Sequence, residues 1–265
     1  MHQSIGSPLT QAASAMIALS QVSLRLGHKN IVEKLDLEVR EGEFVCVIGA
    51  SGCGKTTVLR LAAGLYKPTE GKVSFRGSPI AGPRQDIAIM FQDYGKALLP
   101  WRTAAGNVSL ALEAARVQRA ARGPRIAELL QKVGLGAHTD KYPTEMSGGM
   151  QQRLQIARCL AQDPVALLMD EPFGALDAMT RQSLQDEVLS IVAATGSTVL
   201  FVTHDLEEAI YLGDRVVGLL PHPGRIGIDI RINLPKPRDQ LRTREDPEFL
   251  RLRRELFDFI NATEK

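Results

Sequence analysis

The amino-acid sequence predicts an α/β fold: a parallel sheet, preceded by a small antiparallel β-layer and interrupted by a helical insertion. Three observations carry this expectation. Apolar runs without alternation at 44–48, 166–169 and 199–202 read as strands covered on both faces. Each borders a segment with helical spacing, and strands alternating with helices build a parallel core. The runs 16–26 and 35–39 instead alternate apolar with polar, which suits half-buried antiparallel strands around a turn at 27–30.

In chain order, residues 1–14 form a mild polar tract expected to be a flexible tail. The β-layer follows, then strand 44–48 runs through a glycine-rich turn into a helix at 55–63. Between 98 and 160 the strand signal disappears, and 107–118, 126–133 and 148–160 carry helical spacing, as in a helical subdomain inserted in the core. The turn Pro221-His222-Pro223-Gly224 precedes an alternating run at 226–232, and Pro247 opens an amphipathic segment at 248–261. The expected division is thus one domain over 15–223 and an extension over 224–265, too short for a second domain.

A chain of 265 residues buries roughly three quarters of its unfolded surface, so no metal or disulfide framework is needed. With 44% hydrophobic and 23% charged residues, it is not a disordered chain. A net charge of +2 from 32 basic and 30 acidic side chains gives no electrostatic ground for a nucleic-acid partner. No run approaches the 18 or so apolar residues that a membrane span needs, and the N-terminus lacks the pattern of a secretory leader. Cys46, Cys53 and Cys159 are an odd number without a Cys-x-x-Cys pair, which argues for a reducing, cytoplasmic location.

The residues with most chemical content are Gly49-Ala50-Ser51-Gly52-Cys53-Gly54-Lys55-Thr56, which satisfy G-x-x-x-x-G-K-[ST] between a predicted strand and a predicted helix. Backbone N–H groups of such a loop and the N-terminus of the following helix attract phosphate. Lys55 is placed to reach β- and γ-phosphates and Thr56 to bind Mg²⁺. The strand 166–169 ends in Asp170 and Glu171, one carboxylate for the Mg²⁺ shell and one to orient a water. A third strand delivers Thr203-His204-Asp205 to the same sheet edge, where open α/β sheets bind ligands.

Taken in order, these motifs resemble those of the ABC ATPases over about 17–220. Met146-Ser147-Gly148-Gly149-Met150-Gln151-Gln152-Arg153 resembles the family signature, Gln92 the Q-loop, Gly174-Ala175-Leu176-Asp177 the D-loop, and His204 the switch histidine. The resemblance implies a RecA-like P-loop ATPase that binds ATP and Mg²⁺. It assigns Glu171, His204 and Gln92 to catalysis, Thr56, Gln92 and Asp170 to the metal, and the loop from Gly49 through Thr57 to the phosphates. Ser147, Gly148, Gly149 and Asp177 would meet the nucleotide of a second copy, in a homodimer with two ATP. The partners implied are an integral membrane permease and, indirectly, a solute-binding protein, at the cytoplasmic face of the inner membrane.

The stretch Leu98-Leu99-Pro100-Trp101-Arg102-Thr103 after Phe91-Gln92-Asp93 resembles the importers of nitrate, taurine and alkanesulfonates. Trp101 is then either an anchor for the permease or a core aromatic of the helical subdomain. Two positions depart from the family pattern. Leu26 stands where an aromatic residue usually stacks on adenine, with His28 the nearest substitute, and Met150 stands where the signature usually has Gln.

The alternatives are another ABC transporter class and a non-transport ABC ATPase. Only 115 residues separate Lys55 from Asp170, too few for a long coiled-coil insertion, and there is a single P-loop. A P-loop kinase would have no use for Ser147-Gly148-Gly149. The thiol of Cys53 is expected to line the nucleotide site and be reachable, with Cys46 and Cys159 buried.

Overall fold

Strands β1 (Ala15–Leu26) and β2 (Lys29–Arg40) pair antiparallel through a short turn at Gly27 and His28. With β4 (Glu70–Phe75) and β5 (Ser78–Pro79) they form a four-stranded sheet of order β2-β1-β4-β5. This is the antiparallel layer that the alternation predicts. The structure is a computed structural model describing residues 15–92, 97–174 and 176–263. The expected tail 1–14, Asp93 and Ala175 lie outside the described residues.

The second sheet has the order β10-β9-β3-β8-β7-β6. Strands β3 (Phe44–Gly49), β6 (Ile87–Met90), β7 (Ala166–Asp170), β8 (Thr198–Val202) and β9 (Arg215–Leu220) run parallel, and β10 (Arg225–Arg231) closes the edge antiparallel to β9. Every residue of β3, β7 and β8 is buried, because this sheet is covered on both faces. Val45, Val47, Leu168, Leu200 and Val202 point to the β-layer and helix α1 (Lys55–Ala62), which is packed between the two sheets. Phe44, Cys46, Ile48, Met169, Val199 and Phe201 point the other way, into a core shared with the helices.

Among the described residues the insertion is built on α-helices α2 (Ala104–Ala114), α3 (Arg119–Lys132) and α4 (Gly148–Leu160), packed on one another. Thr103 starts α2 by accepting a hydrogen bond from Gly106 N, and buried Asn107 ties the helix to the carbonyls of Leu99, Arg102 and Thr103. Helix α3 begins seven residues before the predicted 126 and carries Pro124 in its second turn. Its charged, poorly periodic first turns hide it from an apolar count.

Helix α5 (Ala178–Thr195) starts on the cap of Asp177, and α6 (Leu206–Leu212) on that of Asp205. Short α7 (Arg242–Glu245) leads to α8 (Pro247–Thr263), with Pro at its first position, where a missing N–H costs nothing. The boundary expected at 223 lies between two paired strands of one sheet. Phe249, Leu252 and Leu256 of α8 are buried in the same core as the central strands, each contributing about 1.5–3 kcal/mol. Arg244 and Arg253 both pair with Glu207 of α6, at 2.8 and 2.9 Å, and Gln240 donates to Asp186 of α5 at 2.8 Å. Residues after 223 therefore belong to the body that holds α5 and α6.

Candidate active site

The C-terminal ends of β3, β7 and β8 open into one cleft of about 430 Å³, lined by Ile31, Ser51, Gly52, Gly54, Lys55, Thr56, Thr57, Gln92, Glu171 and His204. That size suits a small-molecule ligand. The loop from β3 to α1 needs glycine at two points. Gly49 has φ +152, and a Cβ there would stand 2.9 Å from Leu219 O, while Gly54 has φ +105 and a Cβ 2.8 Å from Val32 Cγ1. Gly54 caps α1 without a side chain, so the first-turn N–H groups of the helix face an anion unobstructed. Lys55 is buried at 7% exposure, and its Nζ donates to Gly49 O at 2.8 Å and Ala50 O at 3.1 Å. The loop thus holds a cation at its centre.

Asp170 is 4% exposed, and Thr56 Oγ1 donates to its Oδ1 at 3.0 Å. Burial pushes this carboxyl up, with the Thr56 hydrogen bond pulling the other way. A cation beside it would relieve the cost of keeping the charge out of water. Hydroxyl, carboxylate and the nearby Gln92 amide are hard oxygen donors that suit Mg²⁺. Among the described residues no three His, Cys, Asp or Glu side chains cluster as a metal cage.

Glu171 carries the arrangement most directed at chemistry. Its Oε2 accepts from Gln92 Nε2 at 3.0 Å and stands 3.2 Å from His204 Nδ1. The backbone at Glu171 is left-handed (φ +44), a conformation that costs about 1–3 kcal/mol and concentrates at functional sites. Glu171 N donates to Val202 O and Thr203 N to Val47 O, so β-type hydrogen bonds from neighbouring strands fix both loops. The carboxylate is largely shielded, at 19% exposure, whereas His204 is open at 63%.

Ser147, Gly148, Gly149 and Asp177 do not line this cleft. Ser147 caps α4, accepting from Met150 N at 3.4 Å, and Asp177 caps α5, accepting from Thr180 N at 3.0 Å. The two helix starts abut, because a Cβ on Gly149 would meet Thr180 Cγ2 at 2.7 Å. Ser147 and Asp177 are exposed and form a second polar patch.

Cys53 departs from expectation. Its thiol is 1% exposed and sits in the core beneath the loop, where burial pushes it up and Lys55 pulls it down only in part. The side chain points away from the cleft, and only the backbone of Cys53 belongs to the phosphate loop. Trp101 is 71% exposed, which removes the core-aromatic alternative. Leu26 and His28 are exposed at the β1–β2 turn and do not line the cleft, whereas Ile31, at the start of β2, does. No signal in the sequence singles out Ile31. Gly224 is marked in the sequence only as a turn residue, yet it has a Cβ position 2.3 Å from Cys53 O and braces the loop from outside.

The profile of the ABC transporter family matches residues 32–174. The chain is 43% identical over 260 residues to the bicarbonate transport ATP-binding protein CmpD of Synechocystis sp., covering 96% of this chain and 92% of that protein. It is 44% identical over 232 residues to the nitrate import ATP-binding protein NrtD of Synechococcus elongatus, covering 86% and 84%. Among solved structures, the dimeric post-hydrolysis state of the ATP-binding cassette MJ0796 with ADP and Pi matches with a TM-score of 0.72 and 31% identity, over 82% of this chain and 99% of that one.

Proposed function

This chain belongs to the ABC transporter family as an ATP-binding, ATP-hydrolysing importer subunit, and from that premise we propose how its residues divide the work. The loop Gly49-Ala50-Ser51-Gly52-Cys53-Gly54 cradles the phosphates with its N–H groups, and Lys55, Thr56 and Thr57 close on them. Thr56, Asp170 and Gln92 hold Mg²⁺, which when bound neutralises charge on the phosphate oxygens. Glu171 orients and deprotonates the attacking water, held in place by Gln92 and His204. Ser147, Gly148, Gly149 and Asp177 lie outside their own cleft and serve that of a second copy, so that ATP joins two copies and hydrolysis releases them.

The partner is an integral membrane permease, which puts the subunit at the cytoplasmic membrane face. Among the described residues no helix is long and apolar enough to cross a membrane. Exposed Trp101 anchors that partner. The relatives are named for nitrate and bicarbonate, and the stretch around Pro100 and Trp101 resembles importers of nitrate, taurine and alkanesulfonates. We assign the cargo to that class of small anions and solutes, delivered by a solute-binding protein. The ATPase domain begins at 15, with the helical subdomain over about 98–160 and the segment from 224 serving as a structural extension.

The observation that carries the catalytic assignment is the convergence of Gln92 and His204 on one oxygen of Glu171. Glu171→Gln keeps both neighbours but loses the base, and should slow turnover by ~10²-fold or more while retaining ATP binding. It should also trap an ATP-bound dimer on a sizing column. Turnover at the parent rate would take Glu171 out of the mechanism.

A further inference from the structure

Behind Glu171 and His204 lies a small cavity of about 30 Å³, walled also by Gly174, Arg181, Thr203 and Glu208. Arg181, one turn into α5, makes two bonds that end on loops. Its Nη2 donates to Leu176 O at 3.1 Å, in the loop that presents Asp177, and its Nη1 reaches Asp205 Oδ2 at 3.4 Å, one residue after His204. Glu208, in the first turn of α6, is 4% exposed and accepts from Gln185 Nε2 of α5 at 3.0 Å. Burial pushes its carboxyl up, opposed by hydrogen bonds from Thr203 and Gln185. Asp205 in turn caps α6 through Glu207 N and Glu208 N.

Glu208 is buried and Arg181 partly so, which costs desolvation, and a bare packing role at Glu208 would be served as well by an apolar side chain of similar volume. What the polar pair adds is direction. Arg181 joins the start of α5, next to the exposed Asp177, to the start of α6, next to His204, and Glu208 ties α6 to Gln185, about two turns into α5. We propose that Arg181 and Glu208 are positioning residues that lock the Asp177 loop to the His204 loop, so that docking of a second copy at Asp177 sets the His204–Glu171 geometry for hydrolysis. This rests on the reading of Glu171 and His204 as the hydrolytic pair of a two-copy ATPase.

The test uses the full chain and reads kcat, KM for ATP, and ATP-driven dimer formation in a Glu171→Gln background. Arg181→Ala and Glu208→Gln should each lower kcat by about 10- to 100-fold, the scale expected for a catalytic group displaced by an ångström or so, with KM within about threefold of the parent. The trapped dimer should still form when Arg181→Ala is added to Glu171→Gln. Asp205→Asn keeps the helix cap but loses the charge facing Arg181, so it should reproduce the kcat loss, and combining it with Arg181→Ala should add little. If Arg181→Ala melts early, Asp205→Asn and Glu208→Gln preserve shape and decide alone. Parental kcat in those two variants beside an inactive Glu171→Gln would overturn this inference and leave the hydrolytic reading standing. So would a kcat loss matched by an equal rise in KM and loss of the dimer. Parental turnover by Glu171→Gln would instead remove the hydrolytic reading, and this inference with it.

Discussion

At Glu171 a single carboxylate oxygen serves two neighbours, Gln92 at 3.0 Å and His204 at 3.2 Å, two positions that the family resemblance singles out without placing them beside Glu171. Residue identities at this site are legible because each chemical task admits few side chains. Side-chain direction is not legible in the same way, and Cys53 shows why. It lies between Gly52 (φ +76) and Gly54 (φ +105), and that curl turns its Cβ down into the core. Burial raises all three thiols: Cys46 well above its ordinary value, Cys53 in the same direction, and Cys159 to about 12. Thiolate, the reactive form, is therefore scarce at neutral pH. A charged maleimide should label none of the three in the native protein over a period in which it labels all three after denaturation, read by mass spectrometry. ATPase activity should survive the treatment. Fast labelling at Cys53, blocked by Mg-ATP, would mean that the thiol faces the nucleotide after all.

Among the elements, strands buried on both faces and the two alternating strands are legible, since their apolar patterns are dictated by what covers them. Strand β6 is only four residues long, too short for a period to show, and β10 alternates yet gives no hint of its neighbour. Its turn has the larger consequence. Gly224 N donates to Ile31 O at 2.8 Å, Glu33 N donates to Gly224 O at 3.0 Å, and a Cβ on Gly224 would stand 2.3 Å from Cys53 O. The clash is with backbone, which cannot rotate away. Gly224→Ala should push the phosphate loop out of register, weakening ATP binding by about tenfold or more, and should cost about 1–3 kcal/mol of stability by overpacking. Nucleotide titration and chemical denaturation measure the two effects. Unchanged affinity would show that the turn does not brace the loop. A pairwise close approach of this kind, between residues more than 170 positions apart, leaves no periodic trace in a sequence.

For the whole molecule, one fact governs the account: the phosphate loop and the patch of Ser147 and Asp177 are separate surfaces of the same chain. A site that needs both must use two copies, and a shared site of this kind is isologous and closed, giving a dimer with two identical sites. The most direct measurement mixes two inactive variants. Lys55→Ala removes the phosphate-loop cation, and Ser147→Arg blocks the signature patch, so neither protein alone should hydrolyse ATP. In a mixed dimer, the intact loop of the Ser147→Arg copy meets the intact Ser147 of the Lys55→Ala copy and restores one site of two. Random pairing at equal concentrations should therefore recover about a quarter of the parent ATPase rate. A mixture no more active than its separate components would contradict the shared site and, with it, the account of how this subunit hydrolyses ATP.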